Sequence, residues 1–260
     1  MSEPSKTICI IQARRGSSRL PDKVLKPLGS RPVLAHVIQR ARAIPGVETV
    51  VVAMPDEPAS KPLMTLAKQE GALAYQGSEN DVLDRYYQAA LYEAEQSSVL
   101  ADHVMRITSD CPLLSSAVCG DLVSKYIAEK SDYGAVVDFP HGLDCELFKF
   151  DLLKKCHHST ENSHDREHVT LWMKRKQGLK TSFYHADKSY HSANRWVVDY
   201  PEDYQFLTTL FELMGPSIET APWDQVVEFV DNHPSLRNIN QLQGKLWSEK
   251  TEKIIENARK

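Results

Sequence analysis

The sequence predicts an α/β fold built on a mostly parallel sheet flanked by helices, and three observations predict it. Short apolar runs of strand length alternate with longer segments of helical periodicity through the first half of the chain. The first run, TICIIQ (7–12), is apolar through its middle, as in a strand buried on both faces. The chain is 42% hydrophobic and 25% charged, ordinary for a globular protein, and has no apolar run near the ~18 residues a membrane span needs. Strands and helices alternating at this spacing imply parallel strands joined by crossover helices.

After TICIIQ, PVLAHVIQRARAI (32–44) reads as a helix with Val33, Leu34, Val37, Ile38 and Ala41 on one face and Pro32 in its first turn. VETVVVAM (47–54) is a second buried strand. KPLMTLAKQEG (61–71) is a helix stopped by Gly71, and ALAY (72–75) is a short strand. DVLDRYYQAALYEAEQ (81–96) is a strong helix aligning Leu83, Tyr87, Ala90, Leu91 and Ala94. HVMRI (103–107) is a strand and SAVCGDLVSKYIAE (116–129) a helix. In the less regular second half, YGAVVDF (133–139) and CELFKF (145–150) read as strands flanking PHGLD, and DREHVTLWMKRKQ (165–177) as one helix. TSFYH (181–185) and NRWVVD (194–199) read as strands. PEDYQFLTTLFELM (201–214) is a helix with Pro201, Glu202 and Asp203 in its first turn, where acidic groups suit the dipole. PWDQVVEFVDN (222–232) and GKLWSEKTEKIIENARK (244–260) are C-terminal helices. The expected organisation is a domain over 1–215 with a helical extension, 216–260, packed on it.

A formal net charge of −4 argues against a general nucleic-acid binder. The five cysteines, at 9, 111, 119, 145 and 156, form no CxxC pair and no zinc spacing. The opening MSEPSK has no apolar stretch of a secretory signal, so a cytoplasmic protein with reduced thiols is expected.

Against this acidic background, QARRGSSRLPDK places Arg14, Arg15, Arg19 and Lys23 around Gly16, Ser17 and Ser18. The loop follows the first strand, and ligands of open α/β sheets bind at strand carboxyl ends. Basic side chains and backbone N–H groups in a small-residue loop suit phosphate oxygens. The loop is neither GxxxxGK[ST] nor GxGxxG, and on charge alone a solvated basic loop is the simpler reading.

Four further stretches carry candidate chemistry. In RITSDCPLL, Asp110 follows a strand, where a carboxylate suits Mg²⁺ or serves as a turn residue. In RWVVDYPEDY, Asp199 stands between a strand and a helix, either as a second such group or as a cap. In GSENDVLDRYYQAA, Ser78, Asn80, Asp81 and Arg85 open a helix, for capping or for base and ribose recognition. In PHGLDCELF, Asp144 and Glu146 share one face of a strand, and Arg166, Glu167 and His168 open the helix that follows; an acceptor pocket and a salt-bridged surface are both open. His164 and His168 stand at i,i+4, but Asp165 replaces the Glu of HExxH and no third ligand is evident.

Taken in order, QARRGSSRLPDKVLKPL, DVLDRYYQAA, RITSDCPLL, GLDCELF, REHVT and VVDYPEDYQFL resemble the motifs of the acidic-sugar cytidylyltransferases, the group of the CMP-KDO and CMP-sialate synthetases. They are most similar to the spore coat polysaccharide biosynthesis protein F-like branch, and the ending PWDQVVEFVDNHPSLRNIN is similar as well. The resemblance implies a GT-A-like Rossmannoid nucleotidyltransferase, usually a homodimer, that uses CTP and Mg²⁺ and releases pyrophosphate. It implies that Ala13, Arg14, Gly16, Ser18, Arg19 and Lys23 hold the triphosphate and that Ser78, Asn80, Asp81 and Arg85 lie near the cytidine. Asp110 and Asp199 would hold the metal, and Arg14, Lys23 and these two aspartates would be the catalytic set. Arg106, Asp144, Glu146, Arg166, His168 and Arg195 are the candidates for a small anionic acceptor, within a part of about 138–195 that would also dimerise. The chain has Asp22 where the family usually has Gly in RLPGK, which puts the loop's conformation in question. A glycosyltransferase and a non-catalytic nucleotide-binding protein are the rival readings; the single Asp of SDC, without a DxD, disfavours the first.

Overall fold

The computed structural model describes residues 5–190 and 194–247. In chain order the strands are β1 (Thr7–Gln12), the two-residue β2 (Pro27–Leu28) and β3 (Arg31–Pro32), β4 (Thr49–Pro55), β5 (Leu73–Gly77), β6 (His103–Thr108), β7 (Tyr133–Val137), β8 (Glu146–Lys149) and β9 (Thr181–His185). The helices are α1 (Val33–Arg42), α2 (Lys61–Gln69), α3 (Val82–Ser97), α4 (Ser116–Glu129), α5 (Phe150–Ser159), α6 (Ser163–His168), α7 (Leu171–Arg175), α8 (Pro201–Met214), α9 (Trp223–Asp231) and α10 (Pro234–Asn238). None is long and apolar enough to cross a membrane.

β2 and β3 pair with each other, and the other strands form one sheet ordered β5-β4-β1-β6-β8-β7-β9. Only β8 runs antiparallel to its neighbours, β6 and β7. The chain builds outward from β1 through β4 to β5, then α3 returns it to the far side of β1, where β6 lies. Strand order reverses at β1, so the loops leaving β1 and β6 diverge and open a crevice between them.

β1 explains the apolar run. Ile8 and Ile10 face one layer while Cys9 and Ile11 face the other, because strand side chains alternate. The Cys9 and Ile11 layer packs under α1, α2, α4, α8 and α9, with Leu34, Leu122, Phe206 and Val226 in one cluster. The Ile8 and Ile10 layer packs under α3, α5 and α7, with Tyr86, Leu153 and Met173. α9 and α10 share the first cluster through Val230 and Leu236.

Several expected elements differ. Pro32 caps α1 instead of lying in its first turn. The most buried face of α3 also carries Tyr86 and Glu93, since Tyr86 donates to the Ile10 carbonyl (3.2 Å) and Glu93 accepts from Lys6 (2.9 Å), while Tyr87 and Leu91 pack half-buried against the same cluster. The helix expected over 165–177 is two short helices broken at Val169, which has φ +63° and is fully buried. The break turns Thr170 inward to the Glu146 carboxylate, at 3.0 and 3.1 Å. Residues 194–199 form no strand; Arg195 makes an isolated bridge to His141, and Val198 N–H donates to the Asp110 carbonyl (2.8 Å). β8 starts at Glu146, so Asp144 lies in the preceding loop and does not share its strand face. Helical turns run over 241–247, and the rest of the C-terminal helix expected over 244–260 lies outside the described residues.

Candidate active site

The loop after β1 and the turn after β6 meet across the crevice. Ala13 N–H is tied to the Ala53 carbonyl (3.0 Å), extending the sheet contact by one residue before the loop departs. Lys23 then reaches back, and its ammonium lies 2.6 Å from Asp110 Oδ2 and 2.8 Å from Asp199 Oδ1. Arg19 completes the cluster at 2.6 Å from Asp199 Oδ2, with its guanidinium over the Tyr200 ring. Burial alone would favour the neutral form of each group. It is overcome on both sides: Lys23 holds Asp110 and Asp199 below the usual carboxylate range, and the two carboxylates hold Lys23 above the usual lysine range.

Asp199 is positioned by α8. The buried Asp203 carboxylate accepts from Asp199 N–H (3.3 Å) and Tyr200 N–H (3.1 Å) as a helix-start cap. Arg195 grips the same carboxylate at 2.8 and 2.9 Å, and Asn240 donates to it (3.1 Å) and to the Arg195 carbonyl (2.9 Å). Arg195 therefore lines the crevice with its charge already matched. Gly142 fixes the neighbouring loop: it has φ +115°, and a Cβ there would stand 2.7 Å from the Trp196 carbonyl oxygen.

Asp22 adopts φ +53° and ψ +24°, the left-handed conformation that favours glycine. Its carboxylate takes Arg15 in a two-pronged pair, 2.7 and 2.9 Å, and Arg15 also donates to the Ala59 carbonyl (3.1 Å). Arg15 is thus drawn to the outer side of the loop, and the bond to Arg15 lowers the Asp22 pKa. Gly16 has open space where a Cβ would lie, so the protein's own packing does not require a glycine there.

At the start of α3, Asp81 caps Asp84 N–H (2.9 Å) and pairs with Arg166 Nε (2.7 Å). Ser78 Oγ accepts from Asp81 N–H (3.0 Å). Arg85 is 3% exposed, yet its one hydrogen bond to a described residue is to the Ser78 carbonyl (2.8 Å), and its Nε is buried without a partner. Among the described residues neither Arg85 nor Arg14 has a carboxylate partner. Burial and the neighbouring charge of Arg14 both lower the Arg85 pKa.

The opposite wall is built on β6 and β8. Arg106 and Glu146 are cross-strand partners, joined at 2.8 Å. Glu146 also accepts from Tyr133 (2.6 Å), Thr170 and Lys174 (2.7 Å). Burial raises its pKa, but Arg106 and Lys174 more than offset this and bring it down to about 2. A carboxylate depressed in the folded state adds stability above its unfolded value and loses it as pH falls through the folded one. From an ordinary 4.5 to about 2, the gap corresponds to roughly 3 kcal/mol. Glu146→Gln is therefore expected to cost about 2–4 kcal/mol at pH 7, with the deficit closing between about pH 4.5 and 2. Urea melts across that range check it; a deficit independent of pH contradicts the assignment.

These groups line one cleft of about 640 Å³. It brings together Ala13, Arg14, Arg19, Lys23, Arg85, Arg106, Asp110, Asp144, Glu146, His168, Arg195 and Asp199 of the expected residues. Gly16, Ser18, Ser78, Asn80, Asp81 and Arg166 lie outside its lining, the last two tied to each other at its edge. The sequence reading missed Gln12, Thr108, Lys174 and Trp247, which also line it. Thr108 was within reach, since it ends the strand two residues before Asp110; Lys174 and Trp247 arrive from distant segments with no local pattern. His164, Glu167 and His168 bring ligand atoms within 4.8 Å of one another, so Glu167 is the third group the sequence did not reveal, though all three are exposed.

The family model for cytidylyltransferases matches residues 8–230. The chain is 31% identical over 240 residues to an uncharacterized protein of Methanocaldococcus jannaschii, covering 90% of this chain and 94% of that one. It is 30% identical over 233 residues to the spore coat polysaccharide biosynthesis protein SpsF of Bacillus subtilis, covering 86% and 94%. Its fold is similar to the solved structure of a cytidylyltransferase from Leptospira borgpetersenii, with a TM-score of 0.81 at 26% identity, over 89% of this chain and 96% of that one.

Proposed function

The chain belongs to the cytidylyltransferase family, and from that premise we propose that it transfers CMP from CTP to a small anionic acceptor, an acidic sugar or a phosphate- or phosphonate-bearing molecule, with release of pyrophosphate. The observation that carries this reading is the charge pattern of the cleft. Two guanidiniums, Arg14 and Arg85, line it without carboxylate partners among the described residues, beside a lysine held between two carboxylates. Arg85 is buried, where a cation without a counter-charge is costly, and Arg14 stands exposed at the same cleft; a triphosphate supplies charge to both.

Asp110 and Asp199 fit a divalent cation, because two hard carboxylates converge on one cationic centre, the Lys23 ammonium. These two residues would hold Mg²⁺, which when bound would supply charge neutralisation for the reacting phosphates. The chain's own residues do the rest. Lys23, Arg14 and Arg19 bind the triphosphate and neutralise the leaving pyrophosphate, so catalysis is mainly positioning and electrostatics. Lys23 must leave the two aspartates to do so. Asp22 keeps Arg15 from competing for the same phosphates. Arg85, with Ser78, Asn80 and Asp81, lies on the nucleoside side. Arg106, Asp144, Glu146, Arg166, His168 and Arg195 form the acceptor side, Arg195 through Asp203. SpsF is named for polysaccharide biosynthesis, which makes surface-glycan synthesis the proposed setting; a homodimer and a cytoplasmic location belong to the same proposal.

The test is pyrophosphate release from CTP and Mg²⁺ across a panel of acidic sugars, phosphomonoesters and phosphonates. Turnover with CTP well above that with UTP or ATP supports the reading, and absence of CTP consumption with every acceptor class refutes it.

A further inference from the structure

We propose that Arg106 and Lys174 form a second anion subsite, set in the floor of the cleft, that takes an anionic group of the acceptor remote from the attacking atom. This rests on the CMP-transfer reading for the side on which the acceptor lies.

The Arg106–Glu146 pair is not a closed salt bridge. Glu146 receives four protein donors, from Arg106, Tyr133, Thr170 and Lys174, on its two oxygens. A carboxylate offers about four acceptor positions, so Glu146 has none left for a ligand ammonium or hydroxyl. Its single negative charge faces two positive ones. On the donor side capacity remains. Arg106 Nε is buried without a hydrogen-bond partner among the described residues. Lys174 has a side chain 49% exposed and lines the cleft with Arg106. Glu167, exposed at the rim, makes no ion pair with either among the described residues. The floor thus presents unspent cationic donors around a saturated carboxylate, which selects an anion.

The subsite is separate from the reaction centre. Arg106 and Thr108 lie on one face of β6, and Asp110 follows in the turn beyond. Arg106 therefore sits roughly 7 Å deeper than Thr108 along the strand, at ~3.3 Å per residue. A ligand whose attacking oxygen is near Asp110 reaches Arg106 and Lys174 only with a group several bonds away. Lys174 is placed there by the chain break at Val169, which starts α7 over the floor.

The test uses three phosphonates of similar length: 3-phosphonopropionate, propylphosphonate and 3-aminopropylphosphonate. Each is titrated by calorimetry into the full-length enzyme, alone and with Mg²⁺ and α,β-methylene-CTP. The carboxylate-ended probe is expected to bind at least tenfold tighter than propylphosphonate, and the ammonium-ended probe more weakly than either. Lys174→Gln, a half-exposed position that leaves Arg106–Glu146 intact, is expected to reduce that preference about fivefold or more without changing affinity for the nucleotide analogue. Equal binding of the three probes, no binding of any of them, or a preference that survives Lys174→Gln overturns the subsite. Failure of the nucleotide analogue to bind counts instead against the CMP-transfer reading, since the nucleotide-free titrations still report on the subsite.

Discussion

Asp110→Asn is expected to lower pyrophosphate release by about a thousandfold or more with every acceptor, with the fold unchanged. The amide keeps the side chain's shape, and the main-chain bond from Val198 N–H to the Asp110 carbonyl is untouched. What it loses is the formal charge that Lys23 meets at 2.6 Å. A hard divalent cation bound by one or two carboxylates depends on that charge, because a neutral amide oxygen is a far weaker ligand. Lys23 retains Asp199 at 2.8 Å, so the loop stays in place and CTP affinity measured in EDTA should be close to wild type. A coupled pyrophosphate assay, a thermal melt and nucleotide binding without divalent ions separate these effects. Activity within threefold of wild type, with the melt unchanged, would remove Asp110 from the metal site.

The expectation places Asp110 on local logic, an acidic residue just past a strand, and that kind of logic was legible. The bounds of β1, α4 and α8 are those the periodicity predicts, because each is set by a continuous apolar run or a clear amphipathic face with its own start and stop. The loop's position at the β1 end followed from strand alternation alone. What escaped was decided by contacts between distant segments. Nothing local in DREHVTLWMKRKQ announces a break, since no Gly or Pro interrupts it; the break serves Thr170 and Lys174, whose partner Glu146 is over twenty residues away. NRWVVD has strand composition but finds no continuous neighbour, so it stays a bridged segment held by His141 and Asp110. Tyr86 was left off the aligned face of α3, yet it is fully buried because its hydroxyl is satisfied by the Ile10 carbonyl, a partner that helical periodicity cannot reveal.

Asp22 illustrates a different limit. The sequence marked it as a departure from glycine and left the loop's shape in question. The backbone keeps the conformation glycine would favour, and the side chain adds a constraint glycine lacks, the pair with Arg15. Both side chains are substantially exposed, so the pair matters for where Arg15 points more than for stability. The loop consequently offers Arg14, Arg19 and Lys23 inward and Arg15 outward, a sorting of four basic residues that composition could not provide.

Lys23→Met should produce two effects of opposite sign on the same measurement. The ammonium holds both Asp110 and Asp199 below the usual carboxylate range. Without it, two largely buried carboxylates, with 22% and 23% of their side chains exposed, share the crevice with compensation from Arg19 and, at 3.8 Å, Arg195, both on Asp199. Breaking a fully buried pair costs about 3–5 kcal/mol; partial solvation here reduces the expected loss to about 1–3 kcal/mol at pH 7. The sign with pH follows: carboxylates that had gained stability above their unfolded pKa now lose it there, and the deficit shrinks as pH falls and one of them protonates. Millimolar Mg²⁺ should reverse the deficit at constant pH. On the proposed metal site, the cation would have to displace the ammonium from both aspartates in the wild type, whereas in the variant only the arginines on Asp199 would oppose it, so the Mg²⁺-induced rise in Tm should be larger in Lys23→Met. Activity should nonetheless fall, by about a hundredfold or more in kcat/KM for CTP, because the same ammonium is needed on the triphosphate once it has left the aspartates. Differential scanning fluorimetry across Mg²⁺ concentration, paired with pyrophosphate release, reads both effects. Equal Mg²⁺ shifts in the two proteins would mean that the lysine and the divalent cation do not share a site, and a Lys23→Met enzyme with normal kcat/KM would remove Lys23 from triphosphate binding. Stronger metal stabilisation together with weaker catalysis is the combination that a lysine alternating between the aspartates and the phosphates requires, and a purely structural salt bridge would not produce it.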